Sequence, residues 1–321
     1  MDIVACTDNR FVMQTGVMMY SVCANNADSD ISFHLVCDES VRSVQKKDLE
    51  DVVRPFSNKS IHFYDINGND FNDMPAMEHA VSTITKATYY RLMLTEILPK
   101  SIDKILYLDG DIIVRRSLDS LWNTDIEGYA VAAVPDYEDE AHRKDGHLHL
   151  EPWTGYFNAG VLLVNLKFWR DHRVMDSFYR FMKEHRDWIR AHDQDVLNYV
   201  FNDKKKFLPI KYNLGGGWLL VRMGYDPKMY ADQLDSARRD PVIVHYTTSK
   251  PWYVHHRHPH PFASTFFKYR NQTKWKDEPL WENRPLMMRF TKLFAPTLRS
   301  WGLLPELPPT GGEYIDIAPI D

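Results

Sequence analysis

The stretch Lys104-Ile105-Leu106-Tyr107-Leu108-Asp109-Gly110-Asp111-Ile112-Ile113-Val114 constrains this chain most, because it is an apolar run interrupted by two carboxylates and a glycine. An apolar run of this kind reads as a buried strand. Two like charges inside a strand are costly unless something neutralises them. The strand is therefore expected to deliver Asp109 and Asp111 to the mouth of a sheet and onto a divalent cation. Gly110 lets another backbone or a ligand come close. Hard oxygen ligands on so short a spacer suit manganese or magnesium, ions that keep positions open for substrate phosphates. The ordinary alternative is an aspartate that caps the turn after a strand.

The rest of the chain supplies the setting. Ile3 to Cys6 is a short apolar strand that ends in the polar turn Thr7-Asp8-Asn9-Arg10, followed by a helical pattern through Val22. Ile31 to Val36 alternates as a second strand, Ser43 to Val53 has helical spacing, and Ile61 to Tyr64 makes a third strand. Repeated strand-helix order predicts an α/β fold with a largely parallel sheet flanked by helices. Ligands in such sheets sit beyond the carboxyl ends of the strands, which puts Asp8 on the same edge as Asp109 and Asp111. A helix is expected from Thr85 to Leu98. It carries Arg91, whose planar fork suits phosphate or sugar oxygens, although a surface ion pair is the commoner use of such an arginine.

After a strand from Tyr129 to Val134, the polar stretch Asp136 to Tyr156 reads as an acceptor loop or lid, with His142, His147 and His149 solvated. Phe157 to Asn165 is a buried strand with Asn158 near its start. Helices are expected from Val174 to Ile189 and from Asp193 to Phe201, the second opening on Asp193-Gln194-Asp195. Leu214-Gly215-Gly216-Gly217-Trp218 reads as a mobile loop. Pro241 to Val244 is the last core strand and delivers His245 to the strand-end edge, with Lys250 close behind as a point charge for phosphate. The tract His255 to His260 reads as a solvated turn.

A net charge of -5 over 321 residues argues against nucleic-acid binding. Cys6, Cys23 and Cys37 have no metal-like spacing and suit buried thiols in a reducing compartment. No apolar run approaches the ~20 residues that cross a bilayer, and Met1-Asp2-Ile3-Val4 enters a strand at once. The cytoplasm is the expected location. Residues 284–301 carry Arg289, Lys292 and Arg299 with no acidic side chain beyond Arg284, and their apolar residues recur at helical intervals. Such a segment either lies peripherally on the inner face of an anionic membrane or packs on the parent domain. Pro305 to Asp321 reads as an extended tail. The expected division is a catalytic domain over 1–262 and an extension over 263–321.

Six ordered segments together resemble glycosyltransferase family 8. They are Thr7-Asp8, Ala87-Thr88-Tyr89-Tyr90-Arg91-Leu92, Tyr107-Leu108-Asp109-Gly110-Asp111, Phe157-Asn158-Ala159-Gly160-Val161, Asp193-Gln194-Asp195-Val196-Leu197-Asn198, and His245-Tyr246 with Lys250-Pro251-Trp252. The resemblance implies a single GT-A fold and a retaining transfer of glucose or galactose from UDP-hexose to a glycan acceptor such as lipopolysaccharide. It implies that Asp8 meets the uracil end of the nucleotide, that Asp109, Asp111 and His245 bind manganese, and that Lys250 holds the diphosphate. Arg91, Asn158, Asp193 and Gln194 would surround the hexose. Two segments depart from the usual pattern: Arg10 stands where an asparagine is common, and the stretch from His245 to Trp252 is one residue shorter and lacks its glycine. The alternatives are a catalytically silent sugar-nucleotide or glycan-binding protein on the same fold, and the Asp-x-Asp phosphatase of haloacid dehalogenases.

Overall fold

The computed structural model describes residues 1–66, 87–220, 230–254, 259–282 and 314–315. It opens with β1 (Asp2–Thr7), α1 (Val12–Asn25), β2 (Ile31–Asp38), α2 (Ser43–Val53) and β3 (Lys59–Ile66). There follow α3 (Ala87–Tyr90), a 3-10 turn over Arg91–Met93, α4 (Leu94–Ile97), β4 (Lys104–Leu108), β5 (Ile112–Val114) and α5 (Asp119–Trp122). The middle of the chain forms β6 (Val131–Pro135), α6 (Asp139–Asp145), β7 (Phe157–Asn165), α7 (Leu166–Asp171), α8 (Val174–Glu184) and α9 (His192–Val200). The last described elements are β8 (Lys205–Phe207), β9 (Leu214–Gly215), α10 (Ala231–Arg239), β10 (Ile243–His245) and α11 (Ala263–Arg270).

Seven strands form the main sheet in the order β3-β2-β1-β4-β7-β6-β8. Its first four strands are parallel, β7 runs antiparallel to both neighbours, and β8 is parallel to β6. Strand alternation divides the core between the two faces. Ile3, Ala5, Leu106 and Leu108 point into one apolar cluster with α1, and Val4, Ile105 and Tyr107 point into the other with α8 and α9. All seven are buried, as a sheet covered on both faces requires. On the first face α1 carries Gly16, where a Cβ would stand 2.3 Å from ring atoms of Trp275. That glycine lets the segment after α11 close over the helix.

The structure corrects several expectations. The run from Lys104 to Val114 is two strands in two sheets, because the chain turns at Asp109-Gly110-Asp111. β5 joins a three-stranded sheet, β5-β10-β9, in which β10 is antiparallel to β5 and parallel to β9. The strand that carries His245 therefore belongs to this smaller sheet. The helix expected over Thr85 to Leu98 is broken at Arg91–Met93, and α8 stops at Glu184 before a short 3-10 turn. Leu214 to Trp218 is a buried segment, not a mobile loop. Its glycines serve close packing: a Cβ on Gly216 would stand 2.0 Å from Thr248 Oγ1, and one on Gly217 would stand 2.3 Å from Tyr137 Cγ.

The polar stretch after β6 also holds more structure than expected. α6 forms within it, and His147 is buried, with Nδ1 2.8 Å from Asp145 and Nε2 3.1 Å from Asp195. Asp195 is in turn fully buried and accepts from Tyr156 Oη at 2.6 Å and from the backbone N–H groups of Arg190 and Ala191. It organises the entry to α9 away from the cleft. The expected membrane helix over 284–301 and the tract His255–His258 lie outside the described residues, as does the tail apart from Tyr314 and Ile315. Tyr314 pairs with Leu220 and shares a 2.7 Å hydrogen bond with Thr248.

Candidate active site

β1 and β4 are neighbours in the parallel part of the sheet, so the turns that follow them open on one edge. Here lies a cleft of about 560 Å³ whose walls include Asp8, Arg91, Asp109, Asp111, Asn158, Asp193 and Gln194. His245 enters from β10. Its Nε2 stands 3.1 Å from Asp111 Oδ1 and 3.8 Å from Asp109 Oδ2. Neighbouring ligands at an octahedral ion with bonds of about 2.1 Å are roughly 3 Å apart, so these spacings fit a divalent cation. The three ligand atoms lie within 4.8 Å of one another.

The surroundings fix this donor set. Asn213 Nδ2 donates to Asn158 Oδ1 at 2.9 Å, which leaves Asn213 Oδ1 to accept from His245 Nδ1 at 3.0 Å. A proton on Nδ1 turns the Nε2 lone pair toward the carboxylates, an arrangement that suits a bound cation. Gly160 passes behind the ring, and a Cβ there would stand 2.2 Å from His245 Cε1 and 2.9 Å from Asp109 Oδ2. Asp111 forms a close ion pair with Lys250. Burial works to raise the Asp111 pKa, but Lys250 and His245 outweigh it and hold the carboxyl well below the usual carboxylate range.

Arg91 is buried, not the surface ion pair its helix alone suggested. Nη2 donates to Asp109 Oδ1 at 2.8 Å, Nη1 donates to Ala159 O at 2.7 Å, and Nε lies 3.0 Å from Asp193 Oδ2. The guanidinium sits 4.5 Å from the centre of the Tyr107 ring, and Tyr107 Oη donates to the same Asp109 oxygen at 3.0 Å. Burial opposes the Arg91 charge, yet Asp109 and Asp193 outweigh it and raise its pKa above the ordinary value. The opposite balance holds at Asp193, where burial is the largest influence. Arg91 pulls the pKa down, Asp109 pushes it up, and the carboxyl is raised to about 7.

The sign of this shift makes a prediction. A carboxyl whose folded pKa exceeds its unfolded value contributes stability in full below about pH 4, and the contribution is lost as pH rises through about 7. Its ceiling is on the order of 4 kcal/mol. In the metal-free protein Asp193→Asn is expected to flatten the melting temperature between pH 5 and pH 8 relative to wild type (assay range of about 3 pH units). Parallel pH profiles of the two proteins would refute the assignment.

Asp8 uses one oxygen to cap its own turn, accepting from the N–H groups of Arg10 at 2.8 Å and Phe11 at 3.1 Å. Asn158 and Gln194 meet on a residue that sequence reasoning missed. Asp136 Oδ2 accepts from Asn158 Nδ2 at 3.1 Å and from Gln194 Nε2 at 3.4 Å, while Gln194 Oε1 accepts from Ala159 N at 2.9 Å. Asp136 directly follows β6, and this was an available signal, since Asp8 and Asp109 hold the same strand-end position. Asn213 gave none, because it adjoins a glycine run that reads as a loop.

A doubly wound sheet whose carboxyl edge carries aspartates, met there by a histidine from a smaller sheet, is the GT-A architecture of glycosyl-transferring enzymes. The glycosyl transferase family 8 model matches residues 2–255, and the chain belongs to that family. It is 29% identical over 282 residues to general stress protein A of Bacillus subtilis, covering 86% of this chain and 94% of the relative. With the lipopolysaccharide glucosyltransferase WaaO of Escherichia coli it shares 26% identity over 288 residues, 87% of this chain and 80% of the relative. Among solved structures, the galactosyltransferase LgtC in complex with donor and acceptor sugar analogs superposes with a TM-score of 0.73 at 28% identity. That match covers 90% of this chain and 99% of LgtC.

Proposed function

We propose that this protein is a retaining hexosyltransferase, which moves glucose or galactose from a UDP-sugar to a hydroxyl of a lipopolysaccharide or related cell-surface glycan. The observation that carries the reading is the convergence of Asp109, Asp111 and His245 beside a cleft of about 560 Å³. Asp109, Asp111 and His245 would hold manganese or magnesium, which supplies positive charge to the departing diphosphate. Lys250 adds a second cation. It pairs with Asp111 and is close enough to turn to a phosphate oxygen. Asp8, at the far end of β1, takes the nucleoside end.

At the sugar, Asp193 and Asn158 accept or donate hydrogen bonds to ring hydroxyls, and Arg91 keeps Asp109 and Asp193 in place. The bond between anomeric carbon and phosphate oxygen breaks, its electron pair stays with UDP, and the acceptor oxygen attacks from the same face. A diphosphate oxygen takes the acceptor proton. We prefer this to a covalent adduct because Gln194 is an amide, a poor nucleophile, and is held by Ala159 and Asp136. Gln194 braces the opposite face of the sugar.

A silent binding protein has no need of the donor set around His245, which favours the enzyme. Family membership leaves the phosphatase without support. The decisive assay incubates the protein with manganese and UDP-glucose or UDP-galactose, and reads UDP release together with the anomeric configuration of the product. Release with retention is expected, and Gln194→Ala should slow it by on the order of 10²-fold. No release from either donor, or an inverted product, would end the proposal. A sugar trapped covalently on Asp193 would overturn same-face attack.

Among the described residues no helix is long and apolar enough to cross a membrane.

A further inference from the structure

We propose that Tyr314 is a positioning residue for the donor: it fixes the loop from Thr247 to Lys250, and so sets where the Lys250 ammonium meets the diphosphate. The inference rests on the sugar-nucleotide reading above and deepens it. Tyr314 stands 66 positions beyond Thr248 in the chain and shares a 2.7 Å hydrogen bond with its hydroxyl.

The loop is short, and both of its ends are anchored. At one end β10 delivers His245, and the Tyr246 N–H donates to Asp111 O at 3.0 Å. At the other, Trp252 is buried and the Tyr253 N–H donates to Lys250 O at 3.2 Å. Between the two ends, threonine side chains fix the backbone. Thr247 Oγ1 accepts from Gly216 N at 2.9 Å, and Thr248 lies so close to the same glycine that a Cβ there would stand 2.0 Å from Thr248 Oγ1. Tyr314 supplies a second hold on Thr248.

Backbone pairing places Tyr314 itself. It bridges antiparallel to Leu220, the Ile315 N–H donates to Leu219 O at 2.9 Å, and Leu219 is fully buried. The Tyr314 ring lies 5.5 Å from that of His260, which is buried and 4.8 Å from the ring of Tyr246. Tail, glycine run and loop thus pack together beside Asp111, the partner of Lys250. An ammonium acts on phosphate as a point charge, and its attraction falls with distance, so the placement of Lys250 matters. A loop released from Tyr314 samples more backbone states, and capturing the diphosphate then costs the entropy of ordering it.

Calorimetric titration of the full chain with UDP, in the presence of manganese, tests this. Tyr314→Phe removes the hydroxyl and keeps the ring beside His260, and Thr248→Val removes the other partner with little change of shape. Each is expected to weaken UDP binding about fivefold, the size of one hydrogen bond. Uridine lacks the diphosphate. It should bind both variants as it binds wild type, read by ligand-observed nuclear magnetic resonance. In a Lys250→Ala background Tyr314→Phe should add nothing, because the effect passes through the ammonium. Wild-type UDP affinity in both variants, an equal loss for uridine, or losses that add to that of Lys250→Ala would overturn the proposal. A wild-type chain that binds no UDP would instead refute the sugar-nucleotide reading, and the inference with it.

Discussion

Under the proposed metal-assisted transfer, Gly160→Ala should abolish activity while leaving the fold intact. Alanine is no worse than glycine for strand backbone, and Gly160 sits inside β7, so the local cost of the substitution is small. The added methyl, however, would occupy space 2.2 Å from His245 Cε1 and 2.7 Å from His245 Nδ1, and 2.9 Å from Asp109 Oδ2. The ring cannot retreat easily. It is buried, and its Nδ1 is tied to Asn213, which is tied to Asn158. Displacing a ligand by more than a few tenths of an ångström spoils an octahedral set, so manganese affinity should fall at least about a hundredfold. UDP release should drop on the order of 10²–10³-fold. Manganese titration by electron paramagnetic resonance reads the first quantity directly. Wild-type affinity in a folded Gly160→Ala protein would mean that His245 is not a ligand.

The meeting of Asp8, Asp109 and Asp111 on one edge was legible in the sequence because each stands at or just beyond the end of an apolar strand. Asp8 and Asp109 follow apolar strands that alternate between two core clusters, and parallel order alone predicts that their turns share an edge. What could not be read was that the chain resumes beyond Asp109-Gly110-Asp111 as a strand of a second sheet. Apolar residues continue on both sides of the turn, and hydropathy does not register a chain that changes sheets. The fate of Arg91 was hidden for a related reason. Its helix breaks into a 3-10 turn at that residue, and its two carboxylate partners lie 18 and 102 positions further along the chain. No local pattern records such a meeting. The glycine run from Gly215 to Gly217 misled in the opposite direction, since the composition of a mobile loop is also that of a segment on which Thr248 and Tyr137 close tightly.

Arg91→Met is expected to be the most destabilising single substitution in the cleft. Methionine keeps the unbranched stem against Tyr107 but removes the cation shared by Asp109 and Asp193. Two like charges then face each other in a buried setting, for which a cost of about 3–5 kcal/mol is typical. In a chain of this size that corresponds to a fall of roughly 5–8 °C in melting temperature. The deficit should depend on pH in a definite direction. Asp193 already has its pKa raised to about 7 with Arg91 present, and Arg91 is what holds it down, so without the arginine it rises further. Below that pKa the carboxyl binds a proton and the repulsion fades. Above it the carboxylate is charged, and the full penalty applies. Arg91→Met should therefore lie closer to wild type in acid than in mild alkali, and the double variant Arg91→Met with Asp193→Asn should recover most of the loss at high pH. Melting curves across neutrality decide the matter. A loss equal at all pH values, or no recovery in the double variant, would show that Arg91 stabilises the cleft through packing on Tyr107 and not by neutralising the two aspartates.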